Sequence, residues 1–537
     1  MNGTMEDFVQ RPSTSETSKT SETSASFSLP LFINPCSMDI GSKKNLLFAM
    51  YLLFNALVMF LLLGLENGYL YVSVFVVGGH VRDVINILFQ VAFMSRVLSH
   101  PTPPEEQTMS MIYCLVPVFN EEFELVKKNL DSLVGQELPA IAKVAILIVF
   151  DGVDSRNQTL YDQVDSLITY PIGDAYRPKE EAYEVWKSKR SSKANYREGT
   201  YRGVQTVVCH KLVNAGKKDT LIMGESIIAR MYGGGKIDCF IYHTDGDTIA
   251  DKKCLGHLLA SLKSDKELDG VSSLLRAYRR PGLNILQGGF VSMQDYQYFY
   301  SLIVRRQTES LLDSTTCLPG CSNMIRYNPK SQTAIDKYRN LPVLKDGLLQ
   351  AVTRMQGTDR RYTTLLLKQG AKLRMNWRAV VYTDPPRNTS SFISQRRRWS
   401  SNAFFNSIVL LYTPGITMYI KISALVDVLK LFCTLFRFLS YFAFWFFLPE
   451  FSLRNIVTTL VFLVFPYVYS FCWVFSITDT WASMIWGFIL NKICMPFLSV
   501  VSVSKMYFTA TNFKWSSVGP RVMSPPTPFA SGYESET

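Results

Sequence analysis

The sequence predicts a doubly wound α/β domain placed between two groups of transmembrane helices. Apolar residues make up 47% of the 537-residue chain, a high share beside 19% charged residues, and they are clumped along it. Blocks near both ends approach or exceed the ~18 consecutive apolar residues that cross a bilayer. Between these blocks, residues 101–400 alternate short apolar runs with helical patterns. This alternation is typical of parallel strands joined by helices.

The N-terminal region is predicted to contain a disordered tail and two membrane spans. Residues 1–42 are rich in Ser and Thr and carry too little apolar surface to fold. Residues 43–98 are predicted to form two transmembrane helices. The first is an uninterrupted apolar stretch over 45–64, which as a helix is about 30 Å long. The second, over 68–94, carries charged residues near its middle, which either pair or mark a short span followed by an interfacial helix.

The C-terminal region is predicted to return to the membrane. Residues 401–415 are expected to form an amphipathic helix along the membrane surface, and residues 416–506 to form transmembrane helices. The first apolar block, 418–449, is long and charged, so the sequence leaves open whether it is a tight pair of spans or lies partly along the surface. The remaining blocks are 455–477 and 483–505, followed by a polar cytosolic tail over 507–537.

Composition restricts the function classes. The net charge of +12 fits a chain at an anionic membrane surface, because basic residues flank the apolar blocks. The sequence has neither zinc-finger spacing nor a basic helix with base-reading residues, so no nucleic acid partner is expected. The ten cysteines include no C-x-x-C pair, which disfavours a metal knuckle. With only five histidines in the chain, catalysis is expected to depend on carboxylates.

Acidic residues follow three runs that are predicted to be buried strands, 111–118, 144–150 and 239–243. A helix over 122–134 follows the first strand, and the ligand of such a sheet binds at the carboxyl ends of its strands. Taken alone, each acidic residue is explained by a turn or a helix cap. Three acidic strand ends in one unit favour a functional site. The candidate residues there are Pro117, Phe119, Glu121, Asp151, Asp245 and Asp247.

Asp245 and Asp247 form a D-x-D pair whose alternate side chains point the same way on an extended segment. They can share one nucleotide–metal site, because a carboxylate-held cation neutralises a diphosphate that gains charge when it leaves a sugar. A Gly run before this strand ends in Lys236, and its amides and charge are suited to phosphate. A solvated loop explains that run equally well.

Two later segments carry further candidates. Asp359 precedes an apolar helix and is a candidate base for the proton of a sugar hydroxyl. The segment Q-R-R-R-W, residues 395–399, precedes the C-terminal apolar blocks, and Trp399 offers a flat apolar face to a pyranose ring. A basic cluster at the membrane edge is the alternative interpretation of this segment.

These motifs, taken in order, resemble those of processive family 2 glycosyltransferases. They are P-V-F-N-E, D-G, G-K, D-G-D, C-L-P-G-C, G-T-D-R and Q-R-R-R-W. The narrower resemblance is to chitin synthases and depends on C-L-P-G-C (317–321) and Q-R-R-R-W, since hyaluronan and cellulose synthases typically have Q-Q-x-R-W. The resemblance implies an α/β GT-A (Rossmann-like) cytosolic domain over 101–400, inserted between the transmembrane helices.

The resemblance also implies roles for individual residues. Four residues would hold the uridine of the donor: Pro117, Phe119, Glu121 and Asp151. Lys236 and Asp245 would lie toward the diphosphate, and Asp247 would bind Mg²⁺ or Mn²⁺. Asp359 would be the general base. The diphosphate and the acceptor sugar would be contacted by Gln395, Arg398 and Trp399.

The function implied is transfer of N-acetylglucosamine from UDP-GlcNAc to a growing β-1,4-linked chitin chain, with inversion and export through the C-terminal channel helices. The enzyme is expected to be a multi-pass protein of the plasma membrane bilayer. A hyaluronan-type or other polysaccharide synthase is the first alternative, and a non-catalytic membrane protein with a decayed transferase domain is the second. Thr358 stands where the family usually has Glu, which predicts a weaker base because a like charge would raise the pKa of Asp359. The sequence leaves the oligomeric state open, a homo-oligomer included.

Overall fold

The computed structural model describes residues 40–510 except 65–67, 100, 102–107, 154–156, 172–178, 185–190, 234–236, 341–346 and 448–452. Residues 1–39 of the predicted N-terminal tail lie outside the described residues, as does the chain after Ala510.

Three helices precede the first strand of the sheet: α1 (Ile40–Leu63), α2 (Gly68–Ala92) and α3 (Met94–Leu98). They include the two predicted apolar segments. Helix α1 leaves large apolar side chains in the open, with Leu53 70% and Phe60 78% exposed. Such exposure is unfavourable in water and is expected against lipid or another protein.

The sheet contains the three predicted strands: β1 (Ser110–Val118), β2 (Ala142–Phe150) and β6 (Asp238–Thr244). β1 runs parallel to both of the others and is buried along almost its whole length. The predicted helix after it is α4 (Phe123–Val134). The prediction of parallel strands joined by a helix is therefore confirmed for this part of the sheet. Pro117 is compatible with this central strand, because the β1–β6 pairing ends at Leu115.

The polar insert at 155–230 extends the sheet at one side. Its elements are α5 (Gln158–Asp165), β3 (Lys179–Glu184), β4 (Ser191–Tyr201), β5 (Val204–Lys211) and α6 (Lys217–Tyr232). β4 and β5 form an antiparallel hairpin, and both turn residues, Arg202 and Gly203, have positive φ. Two positive φ values are the geometry of a type I′ turn, whose twist matches that of the strands. β5 then pairs in parallel with β2.

The second half of the domain completes a mixed sheet. Its elements are β7 (Ile249–Ala250), α7 (Cys254–Ser264), β8 (Leu268–Ala277), α8 (Ile285–Tyr300), a π-helical segment (Ser301–Arg306), α9 (Gln307–Leu311), β9 (Ser322–Arg326), α10 (Pro329–Tyr338), α11 (Leu348–Met355), α12 (Thr358–Lys368) and β10 (Lys372–Thr383). The strand order is β3-β4-β5-β2-β1-β6-β9-β8-β10-β7.

The sheet is not wholly parallel, which corrects the prediction of a doubly wound sheet. β9 pairs antiparallel with β6, and Ser322 at its start faces Thr244 at the end of β6. The chain enters β9 from the edge where β6 ends, so β9 must run in the opposite direction. This places the turn before β9 beside the loop after β6.

The C-terminal helices are α13 (Thr389–Leu411), α14 (Met418–Phe432), α15 (Thr434–Phe447), α16 (Leu453–Ile477) and α17 (Trp481–Phe508). The predicted interfacial helix, 401–415, is mostly the second half of α13 rather than a separate element. Several of its side chains are buried among neighbouring helices, including Phe404, Asn406 and Leu410. The block 418–449 divides into two helices at Cys433. Among the described residues, two helices are long and apolar enough to cross a membrane, at Leu460–Ile477 and Trp481–Phe508, while Asn45–Leu61 is a shorter apolar helix.

The charged residues Arg82 and Asp83 of α2 make their shorter contacts with other elements of the protein rather than with each other. Arg82 Nη1 lies 2.5 Å from Asp427 Oδ1 of α14, whereas Arg82 Nε lies 3.7 Å from Asp83 Oδ1. Asp83 accepts hydrogen bonds from Tyr300 (2.9 Å) and Arg305 (3.1 Å). These contacts join the N-terminal helices, the domain and the C-terminal helices.

Helices α8 and α17 approach each other through glycines. A Cβ on Gly487 would lie 2.1 Å from the carbonyl oxygen of Ser292, and one on Gly289 would lie 2.9 Å from Leu490 Cδ1. Contacts this short cannot accommodate a methyl group without separating the helices. Gly288, on α8, has nothing within 4 Å of its Cβ position.

We therefore expect Gly487→Ala to destabilise the protein by about 1–3 kcal/mol, as overpacking typically does. Gly288→Ala is the matched control and should be neutral or stabilising, because Ala is favoured over Gly in a helix by about 1 kcal/mol. The measurement is the midpoint of thermal unfolding in detergent. Equal midpoints for the two variants would contradict the close α8–α17 contact.

Candidate active site

Carboxylates from three strand ends gather at one edge of the sheet. They are Glu121 after β1, Asp245 and Asp247 after β6, and Asp384 after β10. Burial, reinforced first by the charge of Asp245 and then by that of Asp384, raises the pKa of Asp247 to about 7. Burial and the charge of Asp247 likewise raise the pKa of Glu121 well above its usual value. The edge therefore carries unbalanced negative charge, which suits a cation.

Asp384 was not predicted. It lies directly after the last residue of β10, just as the predicted acidic residues follow their own strands. The same sequence pattern could therefore have identified it. Its carboxylate accepts hydrogen bonds from Arg280 at 2.8 and 3.2 Å. Arg280 also pairs with Glu122, so this arginine joins the loop after β1 to the loop after β10.

The loop after β1 folds tightly against the D-x-D segment. Asn120 adopts a left-handed conformation (φ 57°), which asparagine tolerates better than most residues, and the Phe119 amide donates to the Glu121 carboxylate. A Cβ on Gly246 would lie 3.3 Å from the Pro117 carbonyl oxygen. An alanine there would require this loop to shift by a few tenths of an ångström.

Asp151 is buried, and donors from its own domain surround its carboxylate. Lys211 Nζ lies 2.6 Å from Oδ1, and the amides of Ala215 and Gly216 donate at 3.1 and 2.8 Å. The carboxylate thereby fixes the loop between β5 and α6. The predicted contact of Asp151 with uridine stays a prediction.

The lysine that faces the acidic edge is Lys217, at the start of α6, and its ammonium pairs with Asp245. Lys236, the lysine predicted for this role, lies outside the described residues. Lys217 was missed because it belongs to the insert, where no motif distinguished it from its neighbouring lysines.

Asp359 lies on the first turn of α12 and faces the turn of C-L-P-G-C. The Gly320 amide donates to Asp359 Oδ1 at 2.8 Å. Burial raises the pKa of Asp359, while Lys217 and the Gly320 amide act in the opposite direction. The charge of Asp245 adds to the upward shift that burial gives the pKa of Asp359, although Thr358 itself carries no charge. The weaker base expected from Thr358 stays a prediction.

The Q-R-R-R-W residues lie within α13. The charge of Arg398 acts on the Asp359 carboxylate. The Trp399 ring packs 5.8 Å from that of Tyr298, and the guanidinium of Arg396 lies 4.4 Å from the centre of the Trp399 ring. Gln395 Oε1 is buried and has no hydrogen-bond partner within the described part of the chain. The structure thus brings Arg398 to Asp359. Trp399, the next residue of α13, is half-buried.

The acidic edge fits a divalent cation that is shared with a substrate. Within the described ranges, no three His, Cys, Asp or Glu side chains gather closely enough to hold a metal ion by themselves. Mg²⁺ is usually held by one or two carboxylates together with substrate phosphates. Asp247 has the position and the raised pKa expected for one such ligand.

Crowded carboxylates at one edge of a sheet, facing basic side chains of α6 and α13, suit a reaction in which a diphosphate leaves a sugar. This is the chemistry of glycosyltransferases, the class of enzyme that the fold and the arrangement of these residues fit.

The particular family follows from sequence comparison. A profile described as chitin synthase matches residues 233–523, which is more than half of the chain. The chain therefore belongs to the chitin synthase family, and the resemblance predicted from its motifs is confirmed. The matched segment includes Asp245, Asp247, Asp359 and the Q-R-R-R-W segment.

Several fungal proteins are similar to this chain. Chitin synthase 8 of Gibberella zeae is 23% identical over 465 residues, covering 77% of this chain and 67% of the relative. Chitin synthase 8 of Verticillium dahliae is 22% identical, covering 61% of each protein. Chitin synthase csmA of Emericella nidulans is 31% identical over 182 residues, 32% of this chain and 9% of the relative. The chain thus spans from about two thirds to less than a tenth of the length of these relatives.

Two solved structures are similar to this chain. The mannosyltransferase PcManGT from Pyrobaculum calidifontis, in complex with GDP-Man and Mn²⁺, is 13% identical, with a TM-score of 0.43 over 79% of this chain and 98% of that one. S. aureus TarS (1–349) is 11% identical, with a TM-score of 0.32 over 76% of this chain and 93% of that one.

The raised pKa of Asp247 predicts a pH-dependent cation affinity. Below about pH 7 this carboxyl carries a proton that a cation must displace, so affinity should rise about tenfold per pH unit up to that value and then level off. Mn²⁺ binding measured from pH 5.5 to 8.5 with UDP present checks this. Asp247→Asn should bind weakly at every pH, whereas Asp251→Asn, an exposed control, should behave as wild type. A flat wild-type profile would contradict the assignment.

Proposed function

We propose that this protein transfers N-acetylglucosamine from UDP-GlcNAc to a growing β-1,4-linked chitin chain, with inversion at the anomeric carbon. One observation carries the proposal. Asp359 is a carboxylate of raised pKa that lies across from the Lys217–Asp245 pair, so a base and a diphosphate-binding group face the same space. The family to which the chain belongs supports the choice of sugar and acceptor.

In this mechanism Asp359 takes the proton from the acceptor hydroxyl as its oxygen attacks the anomeric carbon. The bond from that carbon to the UDP phosphate oxygen breaks in the same step, so a single displacement inverts the configuration. A raised pKa favours this role, because proton transfer is most efficient when the pKa of the base lies nearer the working pH.

The leaving diphosphate is stabilised by groups on its own side of the site. Lys217 and Arg398 supply positive charge, and Asp247 would hold Mg²⁺ or Mn²⁺, which neutralises the developing phosphate charge when bound. Glu121 and Asp151 border the loops predicted to hold uridine. Trp399 would present its ring to the acceptor sugar, and Gln395 has a buried oxygen that can accept a hydrogen bond from a hydroxyl.

We further propose that the protein crosses the plasma membrane several times, with a cytosolic catalytic domain. The exposed apolar surface of α1 and the lengths of the apolar segments Leu460–Ile477 and Trp481–Phe508 support membrane insertion. The polymer would leave between the C-terminal helices, which begin at the end of the helix that carries Trp399.

The chemical identity of the polymer product distinguishes a chitin synthase from a hyaluronan-type synthase. Membranes containing the protein, incubated with labelled UDP-GlcNAc and Mg²⁺ or Mn²⁺, should form an insoluble polymer that chitinase digests. Chelator should stop synthesis reversibly. A polymer that resists chitinase and is cut by hyaluronidase would instead identify a hyaluronan-type synthase.

The base is tested by Asp359→Asn, which keeps the shape of the side chain and removes its basic lone pair. Polymer synthesis should fall by at least ~100-fold, the lower end of what general base catalysis contributes. UDP affinity, measured by calorimetry, should change little. Asp336→Asn, an exposed aspartate on α10, is the control and should keep full activity. Near-normal synthesis by Asp359→Asn would assign the base to another carboxylate.

A further inference from the structure

Three buried polar residues form a group next to the turn that contacts Asp359, and the mechanism above gives them no role. They are His243 on β6, Glu225 on α6 and Asn323 on β9, exposed by only 4%, 5% and 4%. His243 Nε2 lies 3.1 Å from Glu225 Oε1, and His243 Nδ1 lies 3.0 Å from Asn323 Oδ1. The three side chains therefore form a continuous chain of hydrogen bonds across three elements.

The direction of the Asn323 hydrogen bonds follows from the partners. The Asn323 amide nitrogen donates to the Pro319 carbonyl at 2.8 Å, so its oxygen is the atom that faces His243. An amide oxygen only accepts, so His243 Nδ1 donates to it. Hydrogen bonds therefore lead from His243 through Asn323 to the Pro319 carbonyl, and the second ring nitrogen of His243 lies against Glu225.

Pro319 belongs to the turn that touches Asp359. The Ser322 amide closes this turn onto the Pro319 carbonyl at 3.1 Å, and within it the Gly320 amide donates to Asp359 at 2.8 Å. The Asn323 side chain therefore donates to the same Pro319 carbonyl that accepts the turn-closing hydrogen bond. The residue that follows this carbonyl in the chain is Gly320, whose amide donates to Asp359.

The 319–322 turn borders a small cavity. Gly320 is part of the lining of this cavity, together with Leu318, His243, Asn323 and Tyr362. Atoms beside a cavity lack packing partners on that side. The hydrogen bond from Asn323 to the Pro319 carbonyl is a direct restraint on this turn, in addition to that from the Ser322 amide.

We propose that Asn323 and His243 are positioning residues that hold the 319–322 turn so that the Gly320 amide reaches the Asp359 carboxylate. This inference rests on the proposed function, since it takes Asp359 to be the base. An amide that donates to a carboxylate stabilises its ionised form, and releasing the turn weakens that donation. Loss of Asn323 should then make Asp359 harder to ionise.

Other charged and titratable groups also face Asp359, and the test must leave them unchanged. They come from α6, the loop after β6, the 317–321 turn, α10 and α13, and are Lys217, Asp245, Cys317, Cys321, Tyr338 and Arg398. None is altered by a substitution at position 323. A shift in the ionisation of Asp359 in such a variant therefore reports on the turn.

The test compares two variants with a matched control. Asn323→Leu keeps the side-chain volume, adds no charge and loses both contacts, and Asn323→Ala removes the volume as well. Ser322→Ala is the control, because Ser322 is equally buried on the same strand but bonds instead to Tyr242 (2.9 Å). Asp359 is titrated by infrared difference spectroscopy, its carboxyl band being identified by its absence in Asp359→Asn. UDP affinity and the acid limb of the pH–rate profile are measured on the same preparations.

We expect both Asn323 variants to move the titration of Asp359 and the acid limb of kcat upward by about one pH unit, a tenfold change in the ionisation equilibrium. KM for the donor should not change, and Ser322→Ala should titrate as wild type. His243→Gln should shift the titration in the same direction by less.

An unshifted titration in both Asn323 variants, or an equal shift in Ser322→Ala, overturns the inference. Loss of UDP affinity in both Asn323 variants also overturns it, since the residue would then support the fold rather than the base. A wild-type protein that makes no polymer contradicts the proposed function instead, and the infrared titration still decides the inference.

Discussion

Strand β6 lies between a parallel neighbour, β1, and an antiparallel neighbour, β9, and the position of the whole site depends on this pairing. The parallel pairing places the loops after β1 and β6 side by side, which brings Glu121 to Asp247. The antiparallel pairing makes β9 begin where β6 ends, which brings the 317–321 turn to the same edge. Helix α12 then presents Asp359 to that turn. Without the reversal at β9, the base and the D-x-D segment would lie at opposite edges of the sheet.

This arrangement concentrates negative charge in a poorly solvated place, and the structure compensates only part of it. Lys217 pairs with Asp245, and Arg280 with Asp384, while Glu121 and Asp247 are left with raised pKa values. Such an excess costs stability, because buried like charges repel each other. A cation and the basic side chains around a diphosphate would complete the charge balance.

Strand periodicity and acidic strand ends were sufficient to predict the central strands, their parallel order and the edge of the sheet at which the candidate carboxylates gather. The antiparallel entry of β9 could not be predicted, because a five-residue strand after a turn carries no signal of its direction. Lys217 was missed for a related reason, since its role depends on where α6 packs and not on its neighbours in sequence. Asp384 follows its strand as the other acids do, and treating β10 as a strand would have revealed it. The glycosyltransferase class and the chitin synthase family were predicted correctly from the ordered motifs, while the residue roles remain predictions.

Helix α13 runs without a break from Thr389 past Trp399 to Leu411 and packs against the apolar helices α14 and α17. A helix of 23 residues is about 34 Å long, and α13 contains no proline, the commonest cause of a kink. Arg398 and Trp399 lie midway along it. A displacement that the apolar helices impose on α13 as a whole would therefore reach both side chains, and through Arg398 it would change the charge that acts on Asp359.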